Sequence, residues 1–136
     1  MSNPSAIEVF KGQVEAVAIK RDLDLFLTYI SPDCVFRDMA EPQPRRGHQA
    51  WREFLVDYLQ TMEDMKVKYL NVFTDGVHLA AETELQGVYR GEGADPGGTH
   101  VTFQYCFIDE IRDGLVVSEK VYWDPQDLAR QLPGKG

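Results

Sequence analysis

The chain has 136 residues, a length that fits a single domain over residues 1–136 with one core. Hydrophobic residues make up 43% and charged residues 26%, which is ordinary for a globular protein. The net charge of −8 repels phosphate backbones and anionic lipid surfaces, so neither nucleic acid nor a membrane is an expected partner.

No apolar run is long enough to span a bilayer. The N-terminal stretch lacks the basic-then-apolar order of a signal peptide. Cys34 and Cys106 both fall in β-type runs and fit buried, reduced thiols better than a disulfide framework. A cytoplasmic location is the expectation.

Pro4 and Ser5 suit the first turn of a helix over residues 4–20, with Ile7, Phe10, Val14, Val17 and Ala18 at helical spacing. Asp22 reads as the N-cap of a short second helix carrying Leu23, Leu25, Phe26, Leu27 and Ile30. Pro32 ends it, because the residue before a proline disfavours helix. Residues 34–38 then read as a strand, 39–47 as a loop broken by Pro42, Pro44 and Gly47, and 48–62 as a third helix. That helix carries Trp51, Phe54, Leu55, Tyr58, Leu59 and Met62 on its apolar face.

After Asp64 the period changes to two. Val67, Tyr69, Asn71 and Phe73 face one way; Lys68, Leu70 and Val72 face the other. Thr74-Asp75-Gly76 is a turn, and Val77, Leu79, Ala81, Thr83 and Leu85 then alternate with polar residues. The glycine-rich segment from Arg90 to Thr99 reads as a mobile loop, with a lid over a pocket as its functional reading. His100–Asp109 and Leu115–Asp124 are two further strands around the turn Arg112-Asp113-Gly114, and a polar tail follows Pro125. Helices at one end of the sequence and strands at the other predict an α+β fold, a curved antiparallel sheet wrapping the N-terminal helices around an internal cavity.

The stretch around which the chemistry gathers is Cys34–Leu55. Its short strand delivers Asp38 to the start of a loop, with aromatic residues on both sides. Such a carboxylate suits a general base; it equally suits a loop cap or a partner for Arg37, Arg45 or Arg46. His48, His78 and His100 lie at surface positions with no partner at metal-ligand spacing, so no metal is expected. The glycines of 91–98 lack any phosphate-binding spacing.

Three features recur in a telling order: the aspartate–loop–glycine–helix unit from Asp38 to Phe54, the run Gly87-Val88-Tyr89-Arg90-Gly91, and Asp113-Gly114 followed by Tyr122-Trp123-Asp124. In these the chain resembles the SnoaL-like polyketide cyclases of the nuclear transport factor 2-like superfamily. The resemblance implies a cone-shaped α+β barrel, commonly a homodimer, that needs no metal or cofactor. The stretch Asp22–Phe54 is also similar to the ketosteroid isomerases, and Asp38 matches their general base. The isomerases' oxyanion donors fall on Val14 and Phe107 here, and the cyclases' polar set falls on Val121, Phe107, Tyr105 and Phe36. Only Tyr105 keeps a polar atom, so the chain departs from both catalytic patterns.

The same matching points Phe36, Tyr105, Phe107 and Val121 into the cavity. Period two then adds Cys34, Asp38, Phe103, Val117, Glu119 and Trp123. Asp38, Tyr105 and Glu119 become the candidate catalytic residues, and Phe36, Trp51, Tyr58, Phe103, Phe107, Val121 and Trp123 the candidate cavity wall. The resemblance implies a cofactor-independent acid/base enzyme of cyclase or isomerase type. Its substrate would be a small hydrophobic carbonyl compound, polyketide- or terpenoid-like. The alternative is a non-catalytic binder of a small apolar ligand on the same fold.

Overall fold

The computed structural model describes residues 4–133. Ser5 caps α1 (Ala6–Ala18): its hydroxyl accepts from the Glu8 N–H while the Glu8 carboxylate accepts from the Ser5 N–H. Asp22 caps α2 (Leu23–Leu27), accepting from the Leu25 N–H at 3.0 Å. The chain continues through β1 (Ile30–Asp38), β2 (Arg45–Arg46), α3 (Gly47–Thr61), β3 (Met62–Thr74), β4 (His78–Tyr89), β5 (Thr99–Arg112), β6 (Leu115–Tyr122) and α4 (Pro125–Gln131).

The boundaries differ from the sequence reading at several places: the expected loop 39–47 contains β2, Met62 opens β3 rather than ending the third helix, and β5 extends to Thr99–Arg112. β1 starts at Ile30 rather than Cys34, because Pro32 sits in an irregular stretch between the Ile30–Val116 and Val35–Ser118 pairs, where a missing ladder N–H costs little. The expected polar tail contains a helix. Asp124 accepts from the Gln126 N–H at 2.9 Å, and Pro125 fits the first turn, where its missing N–H would be unpaired in any case. Residues 134–136 of that tail lie outside the described residues.

The six strands form one sheet in the order β2-β1-β6-β5-β4-β3. Every pairing is antiparallel except β1 with β6, which is parallel and makes the sheet mixed. α1 packs across β3 to β6, and α3 covers β1. The core between the layers is centred on Val9, Phe10, Phe26, Ile30, Cys34 and Val116, all almost fully buried. Phe10 meets Tyr69 and Phe107 edge-on, and Trp51 stacks on Phe36 at 3.6 Å between ring centroids. Such aromatic pairs each contribute about 0.5–1.5 kcal/mol beyond the area they bury.

Bulges overturn the expected strand faces at two places. In β3, Tyr69 pairs with Thr83 and Asn71 with Glu82, so Leu70 is the extra residue. Beyond it the phase flips: Val72 packs on the core and Phe73 is left 65% exposed. In β6, Ser118 pairs with Glu110 but Val116 with Ile111. The extra residue is Val117, so Val116 takes the inward position expected of Val117.

α4 returns to the half of β5 that β6 does not reach, since the β6 pairing begins at Cys106. The Gln131 side chain completes the ladder there. Its Nε2 donates to the Thr102 carbonyl and its Oε1 accepts from the Thr102 N–H, both at 2.8 Å.

A third irregularity, between Glu63 and Lys66 of β3, closes over Gly87 of β4. A Cβ at Gly87 would lie 2.8 Å from the Met62 Cε, 3.0 Å from the Glu63 carbonyl oxygen and 3.2 Å from the Met65 Cγ. Glycine is therefore required by close approach. Gly87→Ala should destabilise the protein by about 1–3 kcal/mol in urea unfolding, the usual cost of overpacking; an unchanged midpoint would contradict this packing.

Candidate functional site

A cavity of about 310 Å³ lies between the helices and the inner face of the sheet. Its wall brings together every candidate named from the sequence: Asp38, Tyr105 and Glu119 with Phe36, Trp51, Tyr58, Phe103, Phe107, Val121 and Trp123. Cys34 is fully buried but outside the wall. Its thiol is pushed up to about 12, chiefly by burial, which makes it a poor nucleophile. The glycine-rich loop after Tyr89 contributes nothing to the wall; Leu128 of α4 lines it instead, which corrects the expected lid. Among the described residues, no group of His, Cys, Asp and Glu has the arrangement to hold a metal ion.

The parallel β1–β6 pairing sets the polar geometry. Phe36 lies opposite Glu119 and Asp38 opposite Val121, so the two carboxylates sit on neighbouring strands, offset by two residues. Strand spacing and rise put their Cα atoms on the order of 8 Å apart, enough for part of a small molecule to lie between them. Asp38 is held by a single oxygen. Its Oδ1 accepts from the Trp123 indole N–H and from the Ala40 N–H, each at 2.9 Å. Trp123 is itself wedged edge-on against Phe103 and Tyr105. That packing leaves Oδ2 as the free face of the carboxylate.

Two phenols share this wall. Burial pushes Tyr58 up to about 12 and Tyr105 well above the ordinary phenol range; the neighbouring Tyr58 and the charge on Asp38 add to the effect on Tyr105. The site thus presents two neighbouring phenols rather than one.

Glu119 is 4% exposed, deep in the wall and not at its rim. Its Oε1 accepts from the Gln13 side-chain amide at 3.1 Å. Burial pushes its carboxyl up to about 7, against hydrogen bonding with Asp109 and Gln13 that pulls it down. Asp109, only 1% exposed, is its cross-strand partner on β5. Sequence reasoning missed both Asp109 and Gln13. The signal for Asp109 was present: Phe103, Tyr105 and Phe107 at period two carry the inward face on to residue 109. Gln13 lies one residue from Val14 on the same helix, and an isolated Gln in an amphipathic pattern reads as surface.

The raised Glu119 carboxyl makes stability depend on pH. Its neutral form is favoured in the fold, so the stability tied to this group is complete below the ordinary 4.5 and is lost as pH rises through about 7. Glu119→Gln should flatten that loss and stabilise the protein at pH 8, relative to wild type, by on the order of 1–3 kcal/mol. Urea midpoints at low and high pH measure it; parallel pH profiles for the two proteins would contradict the burial cost.

A family model described as SnoaL-like polyketide cyclase matches residues 8–132. Among curated proteins, none matches in sequence. Many solved structures match in fold. A protein with a ketosteroid isomerase-like fold from Catenulispora acidiphila, in complex with trimethylamine, has a TM-score of 0.79 at 17% identity, covering 99% of this chain and 98% of its own. An LEH-like epoxide hydrolase from M. tuberculosis has a TM-score of 0.75 at 20% identity, covering 93% and 88%. TsrD from Streptomyces laurentii has a TM-score of 0.77 at 20% identity, covering 98% of each. At these identities the likeness shows the fold. The family match spans nearly the whole chain, and by it the chain belongs to the SnoaL-like polyketide cyclase family.

Proposed function

We propose that this protein is a cofactor-independent acid/base enzyme of cyclase or isomerase type. Its substrate is a small hydrophobic carbonyl compound, polyketide- or terpenoid-like. One observation carries the reading: a proton-bearing carboxyl, Glu119, is buried in an apolar cavity wall that also presents the carboxylate of Asp38. A group poised near neutrality, beside a fixed carboxylate on the same apolar wall, is what proton transfer without a metal or cofactor needs.

In this reading the Asp38 Oδ2 takes a proton from the carbon α to the carbonyl. The C–H pair becomes the enol double bond, and the carbonyl oxygen takes a proton from Glu119. The enol then attacks a second carbonyl, which closes a ring, or is reprotonated elsewhere, which isomerises it. The Tyr58–Tyr105 hydroxyl pair supports the developing charge on oxygen. Phe36, Trp51, Phe103, Phe107, Val121 and Trp123 keep water out and hold the hydrocarbon body. Supporting the reading is the anchoring of Asp38 by Trp123, which fixes one oxygen and aims the other.

A second reading, sequestration of an apolar ligand, is favoured by the same hydrogen bonds. Asp38 and Glu119 each already have an internal donor, from Trp123 and Gln13, so the cavity is tolerably satisfied without any chemistry.

Turnover of a panel of diketones and unsaturated ketones separates the two. Asp38→Asn should lower kcat by about 10²–10⁴-fold with the circular dichroism spectrum unchanged. The rate should fall as pH rises through about 7, where Glu119 gives up its proton, and Glu119→Gln should remove that limb. Retained turnover in Asp38→Asn sinks the base assignment. Absence of turnover, with ketone binding unaffected by Asp38→Asn, favours sequestration.

A further inference from the structure

Asp109 is a buried carboxyl of the sheet that the proposed chemistry leaves unused. It lies behind the cavity wall rather than in it, one strand over from Glu119. No protein donor reaches either of its carboxyl oxygens, although both are fully inaccessible. A buried carboxylate without a donor carries a large desolvation cost, and a neutral carboxylic acid in the same place does not. Its polar neighbour is the Glu119 carboxyl.

The surroundings from each packed element supply no compensating charge. α1 presents the neutral amide of Gln13, β1 the Cys34 thiol, α3 the Trp51 indole, and β4 places Leu79 beside Asp109. Among the described residues, no Lys, Arg or His faces the pair. Two adjacent carboxyls with one amide donor between them cannot both be ionised.

We propose that Asp109 and Glu119 form one functional unit, a carboxyl pair that does not ionise twice in the neutral range: Glu119 can give up its proton, and the last proton stays shared behind the wall. Asp109 is the positioning residue: it holds the proton behind the wall and hydrogen-bonds Glu119. Glu119 is the arm that meets the ligand. A floor of this kind accepts a neutral oxygen-bearing ligand, whose carbonyl or hydroxyl can take or give a hydrogen bond, and rejects a carboxylate, which would be a third buried acceptor.

The approach to the cavity reinforces the choice. Phe54, Tyr58 and Thr61 are shared with an adjoining groove that carries Glu41, Glu53 and Asp57. Its single arginine, Arg45, is already paired with Glu41 at 3.1 Å. An anionic ligand meets negative charge outside and a carboxyl pair inside. Burial raises both members, Asp109 well above the carboxylate range and Glu119 to about 7, consistent with Glu119 releasing its proton first and Asp109 retaining the second.

The inference rests on the reading of Glu119 as the cavity's proton donor, and its test is independent of turnover. Carboxyl-resolved ¹³C NMR titration should show Glu119 changing near neutrality while Asp109 stays protonated throughout that transition in the wild type. Asp109→Leu, which removes the donor, should raise the Glu119 midpoint by about one pH unit; Asp109→Asn, whose amide can donate in its place, should bring it back. Both carboxyls titrating below about pH 5 in the wild type would overturn the shared proton, whether or not either variant folds. An Asp109→Leu midpoint equal to wild type would overturn the positioning role.

Ligand choice is read by quenching of Trp51 and Trp123 fluorescence with 2-acetonaphthone and with its isosteric carboxylate, 2-naphthoate. At pH 8 the ketone should bind at least about tenfold tighter. Equal binding of the two would overturn the selectivity. Titration as expected with no ketone turned over would remove the catalytic reading and leave the pair standing. Turnover with an unmoved Glu119 midpoint in Asp109→Leu would do the reverse.

Discussion

The parallel pairing of β1 with β6 is the constraint on which the site depends. It joins the strand that precedes α3 to the last strand of the chain, across 85 residues of sequence between Asp38 and Trp123. Without it Asp38 would stand at an open edge, with neither the indole of Trp123 nor a cavity wall beside it. With it, one aromatic side chain does two things: it closes the wall against Phe103 and Tyr105, and it fixes one carboxylate oxygen so that the other is free to face the cavity. Fold and site are therefore coupled through the same contact, and a change at Trp123 touches both.

The cavity's polar groups divide into two sets with different physics. In one, the Asp38 carboxylate is held by the Trp123 indole and the Ala40 N–H, with the phenols of Tyr58 and Tyr105 on the same wall. Glu119, Asp109, Cys34 and Gln13 form a set in which acceptors outnumber donors and burial keeps protons on. A hydrogen-bond acceptor and a proton-bearing group thus share one small volume. The aromatic lining supplies the low dielectric that keeps the two sets from being levelled by water.

Much of this was legible in the sequence because it rests on period and punctuation. The caps at Ser5 and Asp22, the apolar face of α3 and the alternation of β4 follow from local rules that tertiary structure did not override. The wall residues followed from a resemblance plus period two. What failed did so at bulges. Leu70 and Val117 are ordinary strand residues, and nothing in their neighbours' chemistry says that two residues there oppose one; yet each shifts the face of everything beyond it. The parallel β1–β6 pairing was not legible either, since strand pairing across a whole chain leaves no local trace. Asp109 was legible and was passed over, because an acidic residue near a strand end reads as solvent-facing until the aromatic alternation is carried two residues further.

The Gln131 amide at Thr102 has a consequence for how the molecule behaves among its own copies. Where β6 stops, the Thr99–Tyr105 half of β5 would be an unpaired edge, a run of β-branched and aromatic residues with open N–H and C=O groups. Such an edge is a template for another chain's strand. α4 lies along it, and one side-chain amide imitates the missing backbone. The last helix is thus a guard against edge-to-edge aggregation, and its loss would cost solubility as well as the Leu128 side of the cavity wall.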